Sequence, residues 1–249
     1  MDGKTIDDVI RELGEITNWA ENNSSRLGYF PALYRMVTIR IKEGIENGEF
    51  EDGARMEKLD VVFANRYIDA YHAWSSQKPC SKSWEIAFEA ADKWRYIVLQ
   101  HLFVGMNAHI NLDLAIASAE VAPGDKIDAL EKDFKSVTGI LNDLTDGVQK
   151  DLAEVWPMLK LLSRAGDKLG DWVSGLGMKV ARDQAWENAV KLAKADTAEK
   201  EKQIRSLDQE VASIGELILS PPLVTNTAIR LVRLGEWKSV PKIIQILSK

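Results

Sequence analysis

The chain has 249 residues, of which 45% are hydrophobic and 28% charged, an ordinary balance for a globular protein with ample chain to bury a core. Its formal net charge is −6 and its Lys and Arg are scattered, which leaves no concentrated basic face for nucleic acid. No stretch reaches about 18 uninterrupted apolar residues, which argues against a membrane span, and the acidic start MDGKTIDDVI lacks the basic and apolar regions of a secretory signal.

The apolar pattern is helical nearly throughout. Ile6, Val9, Ile10, Leu13 and Ile16 fall on one face of a segment spanning 5 to 20, and Thr5 is placed to cap its first turn. Pro31 marks the first turn of a second helix, along which Leu33, Met36, Val37, Ile41 and Ile45 follow at helical spacing until Gly48. A third helix is expected over roughly 54 to 75, ending before SQKPCSK. The single cysteine, Cys80, sits in that polar loop. With no second cysteine an internal disulfide is excluded, and a reducing, cytoplasmic compartment is expected. From Ser83 to Val121 there is no proline and only Gly105, which predicts one very long helix or two in line, stopped at APGD.

Ile127, Leu130, Phe134, Val137, Leu141, Leu144, Val148, Leu152 and Val155 then form a near-heptad stripe ended by Pro157. A Gly-spotted segment, 166 to 195, and a charged helix, 197 to 219, follow. SPP at 220 to 222 breaks the chain before a tail of two short helices. No segment shows the period-two alternation of a strand. The expected fold is all-α, a single-domain helical bundle (1–219) around a long buried central helix. The tail, 220–249, packs on that body or on the second subunit of a homodimer.

Chemistry concentrates in VLQHLFVGMNAHINLDLAIA, residues 98 to 117, a segment free of charge between Arg95 and Asp113 yet carrying Gln100, His101, Asn107, His109 and Asn111. At 100° per residue, Gln100, Asn107, Asn111 and Ser118 lie within about 40° of one another. Such a stripe on a buried helix either bonds neighbouring helices or faces a water-lined groove. His109 and Asp113, four apart, share a second face with Leu102 and Met106. A carboxylate one turn from an imidazole fixes its tautomer and raises its basicity, or the two share a metal. Desolvation makes the same pair a candidate for acid–base work.

A second wall is readable in KLDVVFANRYIDAYHAW, residues 58 to 74. Asn65, Asp69 and His72 lie within about 60° on the wheel, as an outer solvated face or as part of a site. If this helix packs antiparallel to the central one, His72 or Asp60 approaches His109 and Asp113, and the four form a set that zinc or another divalent metal would accept. Trp74, Trp84 and Trp94 bracket the third and fourth helices as core or as the lining of a cleft. Arg182, in ARDQAWENA, either enters a pocket to hold an anionic group or makes a surface ion pair.

The blocks LGYFPALYRMVT, LDVVFANRYIDAYHAW, VLQHLFVGMNAHINLDLAIA and VARDQAWENA, taken in that order, resemble those of a helical family known only as a domain of unknown function. The resemblance spans roughly residues 28 to 195, and GMNAHINLDL is its most specific piece. It implies an all-α fold and directs attention to Tyr34, Arg35, Asp60, Arg66, Asn107, His109, Asn111 and Asp113; it implies no activity.

Two functions of different class follow. One is an enzyme acting on a small, largely apolar molecule in an inter-helix pocket, a cofactor-free cyclase or lyase of a biosynthetic pathway. His109 oriented by Asp113 is then the acid–base group, and Asn107, Asn111, Arg35, Arg66 and Tyr34 are substrate contacts. Its metal-dependent variant is a hydrolase with His109 and Asp113 as ligands, joined by Asp60 and His72. The other is a non-catalytic binding or scaffold protein whose polar groups are core hydrogen bonds.

Overall fold

The computed structural model describes residues 5–137, 176–221 and 239–249, together with Ile229 and Arg233; among them there is no strand. Helix α1 (Ile6–Asn22) begins where Thr5 accepts the Asp8 N–H and Asp8 accepts the Thr5 N–H in return, a reciprocal cap. A 3₁₀ turn, Arg26–Gly28, leads into α2 (Tyr29–Glu46), whose first turn contains Pro31 as expected. Gly48, at φ +71°, turns the chain after α2 in a conformation that favours glycine. Asp52 then caps α3 (Gly53–Ser75), and Ser81 caps α4 (Lys82–Ala91).

The stretch from Ser83 to Val121 departs from its expectation. It is not one helix or two in line: α4 ends at Ala91, the run DKWR at 92–95 is exposed, and α4 packs back on α5 (Val98–Ala108). Four consecutive polar or solvent-facing residues ahead of an interior segment make a reversal cheaper than carrying Lys93 and Arg95 into the core. From Val98 the chain is helical to Val121, but it is not uniform. Between α5 and α6 (Leu114–Val121) lies a π-helical turn, His109–Asp113, in which the Leu114 N–H reaches back five residues to the His109 carbonyl.

Val98–Val121 meets the length and apolarity of a membrane-crossing helix, yet 94% of its apolar window is buried inside the protein. Its neighbours are α2, α3 and α4, together with α7 (Leu176–Lys194) and α8 (Thr197–Leu219), the latter capped by Asp196. A helix apolar on every side is the expected centre of such a bundle. The near-heptad stripe is seen only in part. Residues 127–137 are helical and bury Ile127, Leu130 and Phe134, while Leu141 to Val155 lie outside the described residues. Asp133 fastens this piece by accepting the Glu51 and Asp52 N–H groups and pairing with Arg55 at 2.7 Å. In the tail, α9 (Val240–Leu247) buries Ile243, Ile244 and Leu247 against α1 and α2.

Candidate functional site

Three helices present apolar faces to one another around the π-turn, each at helical spacing. From α2 come Phe30, Leu33, Tyr34, Val37 and Ile41; from α3 come Met56, Leu59, Asp60 and Phe63; from the central helix come Met106, His109, Ile110 and Leu114. Among the described residues they line a cavity of about 100 Å³, which Phe134, Val137 and Arg182 also border. Its wall is almost wholly apolar, so the few polar groups in it stand out.

The imidazole of His109 is clamped by aromatic rings. Phe63 stacks on its face at 3.6 Å and 9°, Tyr34 meets it edge-on at 4.4 Å, and Phe30 and Trp84 stand at 5.5 and 6.1 Å. Its Nδ1 lies 3.4 Å from Asp113 Oδ2, at the long end of hydrogen bonding. Asp113 is itself fixed, accepting from Trp84 Nε1 at 2.8 Å and from Arg66 Nε at 3.0 Å. Burial lowers the basicity of His109 below the ordinary histidine range, and the nearby Asp113 only partly opposes this. The ring is therefore neutral at pH 7. With its proton on Nδ1 towards Asp113, a lone pair is left on Nε2.

That Nε2 has no hydrogen-bond partner, and it is not alone. Tyr34 Oη and Asp60 Oδ2, on two other walls of the same cavity, are also buried without partners. The hydroxyl of Thr38, one turn from Tyr34, is donated instead to the Tyr34 backbone carbonyl. Each buried polar group left unpaired costs about 1–3 kcal/mol. Burial pushes the Asp60 carboxyl up to about 7, with Glu57 on the same helix adding to the push. The Tyr34 phenol is raised well above its ordinary value by burial and then by Asp60 and Asp113, while the Thr38 side chain close to the phenol opposes the rise.

Among the residues expected at a site, the structure brings Tyr34, Asp60 and His109 together, with Asp113 and Arg66 behind the imidazole. It does not bring the others. Asn107, expected as a substrate contact, donates to the Val211 carbonyl at 2.8 Å, and Asn111 donates to Asn107 at 2.9 Å. Gln100 accepts the Ile97 N–H and donates to the Ile218 carbonyl. The amide stripe is thus a latch between the central helix and α8. Arg35, likewise expected at the substrate, donates to the Ile10 carbonyl and ties α2 to α1. Arg66 grips Asp113 rather than facing the cavity.

The four-residue metal set also separates. His72 is exposed and pairs with Glu12 at 2.8 Å. Among the described residues, no group of three or more His, Cys, Asp or Glu is arranged to hold a metal ion. Arg182 is turned inward rather than to the surface. It is 4% exposed, borders the cavity, donates to the Phe134 carbonyl and lies over the Phe134 ring. Trp84, expected as core or cleft lining, holds Asp113, and Phe63 is the functional neighbour that sequence reasoning did not assign. The spacing of Met56, Leu59, Asp60 and Phe63 was the available signal, because it sets a carboxyl in the middle of an apolar face.

Fold and site together define an all-α protein with a buried, aromatic-clamped His–Asp pair beside a small apolar cavity. The chain belongs to the family of unknown function DUF5995, which matches residues 6–221. This is a longer span than the quoted blocks cover, and it stops short of α9. No curated protein and no solved structure matches the chain.

Proposed function

We propose that the protein is an enzyme that moves protons on a small, largely apolar molecule held between helices. His109 Nε2 is the base and Asp113 the group that orients it. The observation carrying this reading is the unequal treatment of the two ring nitrogens. Nδ1 is set against a carboxylate fixed by Trp84 and Arg66, while Nε2 is buried beside an apolar cavity with nothing to bond. Most buried polar side-chain atoms are satisfied. His101 Nε2 is unpartnered as well, so what sets His109 apart is the carboxylate at its other ring nitrogen and the apolar cavity beside it. Here the lone pair is kept, and the imidazolium formed on proton uptake meets a carboxylate already in place. Chemistry of this kind serves elimination, isomerisation or cofactor-free cyclisation, the reactions of a lyase or cyclase. A cavity of about 100 Å³ is smaller than the ~150 Å³ that takes up benzene. Its walls therefore receive the reacting end of a molecule rather than the whole of it.

The competing reading, a non-catalytic binding or scaffold protein, is favoured by the latch role of Gln100 and Asn107. One experiment separates the two. The ring of 5-nitrobenzisoxazole opens when a single C–H proton is removed, and absorbance follows it. The intact chain should open it faster than an equal concentration of free imidazole, and His109→Ala should lose about 100-fold or more with its helical circular dichroism unchanged. Equal rates for the intact chain and the variant, or none above free imidazole, leave the scaffold reading in possession.

A further inference from the structure

The three orphan atoms differ in what they offer. His109 Nε2 presents a lone pair, whereas the Tyr34 hydroxyl and a protonated Asp60 carboxyl each present a proton. We infer that the substrate is an uncharged, largely apolar ketone or enone, whose carbonyl oxygen is held by Tyr34 and Asp60 while His109 takes the proton from the adjacent carbon. The inference rests on the proton-transfer reading above and supplies its substrate class.

The geometry points to one oxygen rather than to scattered polar contacts. The Tyr34 and His109 rings are 4.4 Å apart, and Asp60 is the charge that acts most strongly on the Tyr34 phenol. Donor, donor and acceptor come from α2, α3 and the π-turn, three separate walls of one cavity. Phe63 covers a face of the imidazole. A carbon acid must then approach in the ring plane, where the Nε2 lone pair lies. Apart from Arg182, which donates to the Phe134 carbonyl and lies over the Phe134 ring, the rest of the wall among the described residues is apolar and suits a largely apolar guest.

The step balances on these residues. The proton on the carbon next to the carbonyl passes to Nε2, and its C–H electron pair becomes the C=C bond of an enol. The carbonyl π pair moves to the oxygen, which takes the Asp60 proton while Tyr34 donates a hydrogen bond. Asp113 faces the imidazolium so formed. Return of that proton, to the same carbon or to the far end of a conjugated system, restores His109, and the enol proton restores Asp60. A carboxyl kept neutral by an apolar site is suited to this donation. The titratable or charged groups around Asp60 are Tyr34 from α2, His109 from the π-turn, Arg182 from α7, and Glu57 on α3 itself.

The test uses the full chain and small probes. Cyclopentanone in D2O at pH 6, followed by proton NMR, should exchange its α-protons faster with the intact chain than with His109→Ala. Tyr34→Phe should slow that exchange about tenfold or more. Asp60→Asn, which keeps a donor, should retain more of it than Asp60→Leu. Phenol, which can accept from both donors and donate to Nε2, should bind the intact chain at least about tenfold more tightly than toluene of similar size. Suppose the intact chain opens benzisoxazole through His109 yet leaves ketone exchange at the buffer rate, or binds phenol and toluene alike. The carbonyl assignment is then overturned and the base reading stands. Inactivity towards both probes removes the base, and this inference with it.

Discussion

Burial favours the neutral form of both His109 and Asp60, but their links to folding run in opposite senses. A histidine depressed in the folded state contributes stability above its unfolded value, and that contribution is lost as the pH falls. This holds for His109 and for His101, which burial lowers to about 3. A carboxyl raised in the folded state is unpenalised below its unfolded value of 3.8, and stability declines from there until the pH passes its folded value of about 7. At neutral pH and above the Asp60 penalty is on the order of 4 kcal/mol. Asp60→Asn, neutral at every pH, should therefore raise stability to urea at pH 8 by a sizeable part of that figure and give no gain at pH 4. A variant no more stable at pH 8 than at pH 4, relative to the parent, means that Asp60 is not held neutral. Of this, the His109–Asp113 pair was legible in the residues alone, and the burial of Asp60 was not. The four-residue spacing of His109 and Asp113 set them on one helix face. What they touch was not legible, because a wheel shows which way a side chain leaves its own helix and nothing of the helix opposite. That Trp84, 29 residues away in sequence, bonds Asp113 could only be found by folding.

Among the elements, those written in local sequence were readable and those set by packing were not. Thr5 as a cap, Pro31 in a first turn and the charged helix at 197–219 each depend on a few adjacent residues. The π-turn has no such signature, and its wider winding is expressed only where the surrounding helices accommodate an extra residue. The break at 92–97 was masked by the absence of proline and glycine, although its exposed DKWR run carried the information. Placement of the tail depends on a single close approach. A Cβ on Gly28 would stand 2.6 Å from the Ala20 Cβ and 2.7 Å from Ile244 Cδ1. Ile244 can turn its terminal methyl, but Ala20 belongs to the rigid end of α1, so the 3₁₀ turn or α9 must move. Gly28→Ala should cost about 1–3 kcal/mol and make residues 239–249 more open to limited proteolysis. A variant with the parent's melting point and cleavage pattern would show that α9 does not rest on this turn in solution.

At the scale of the whole molecule the cavity gives the bundle its particular arrangement. An apolar central helix was evident from its composition, whereas the order in which the described helices surround it was not. Those segments bring Phe30 and Arg182 to one wall across most of the chain. The arrangement couples occupancy to global stability, because any molecule bound only by the folded cavity raises the free energy of unfolding, by about 2.7 kcal/mol at a hundredfold excess over Kd. Saturating phenol should therefore raise the melting temperature of the intact chain. Val37, half-buried at the cavity on α2, is the place to abolish this without touching Tyr34, Asp60 or His109. Val37→Phe puts a ring where the guest would lie, adding apolar contacts to space that is now empty. The variant should melt close to the parent in buffer and respond little to phenol. A shift equal in both proteins would locate phenol elsewhere, and the cavity would then be only a packing defect between α2 and α3.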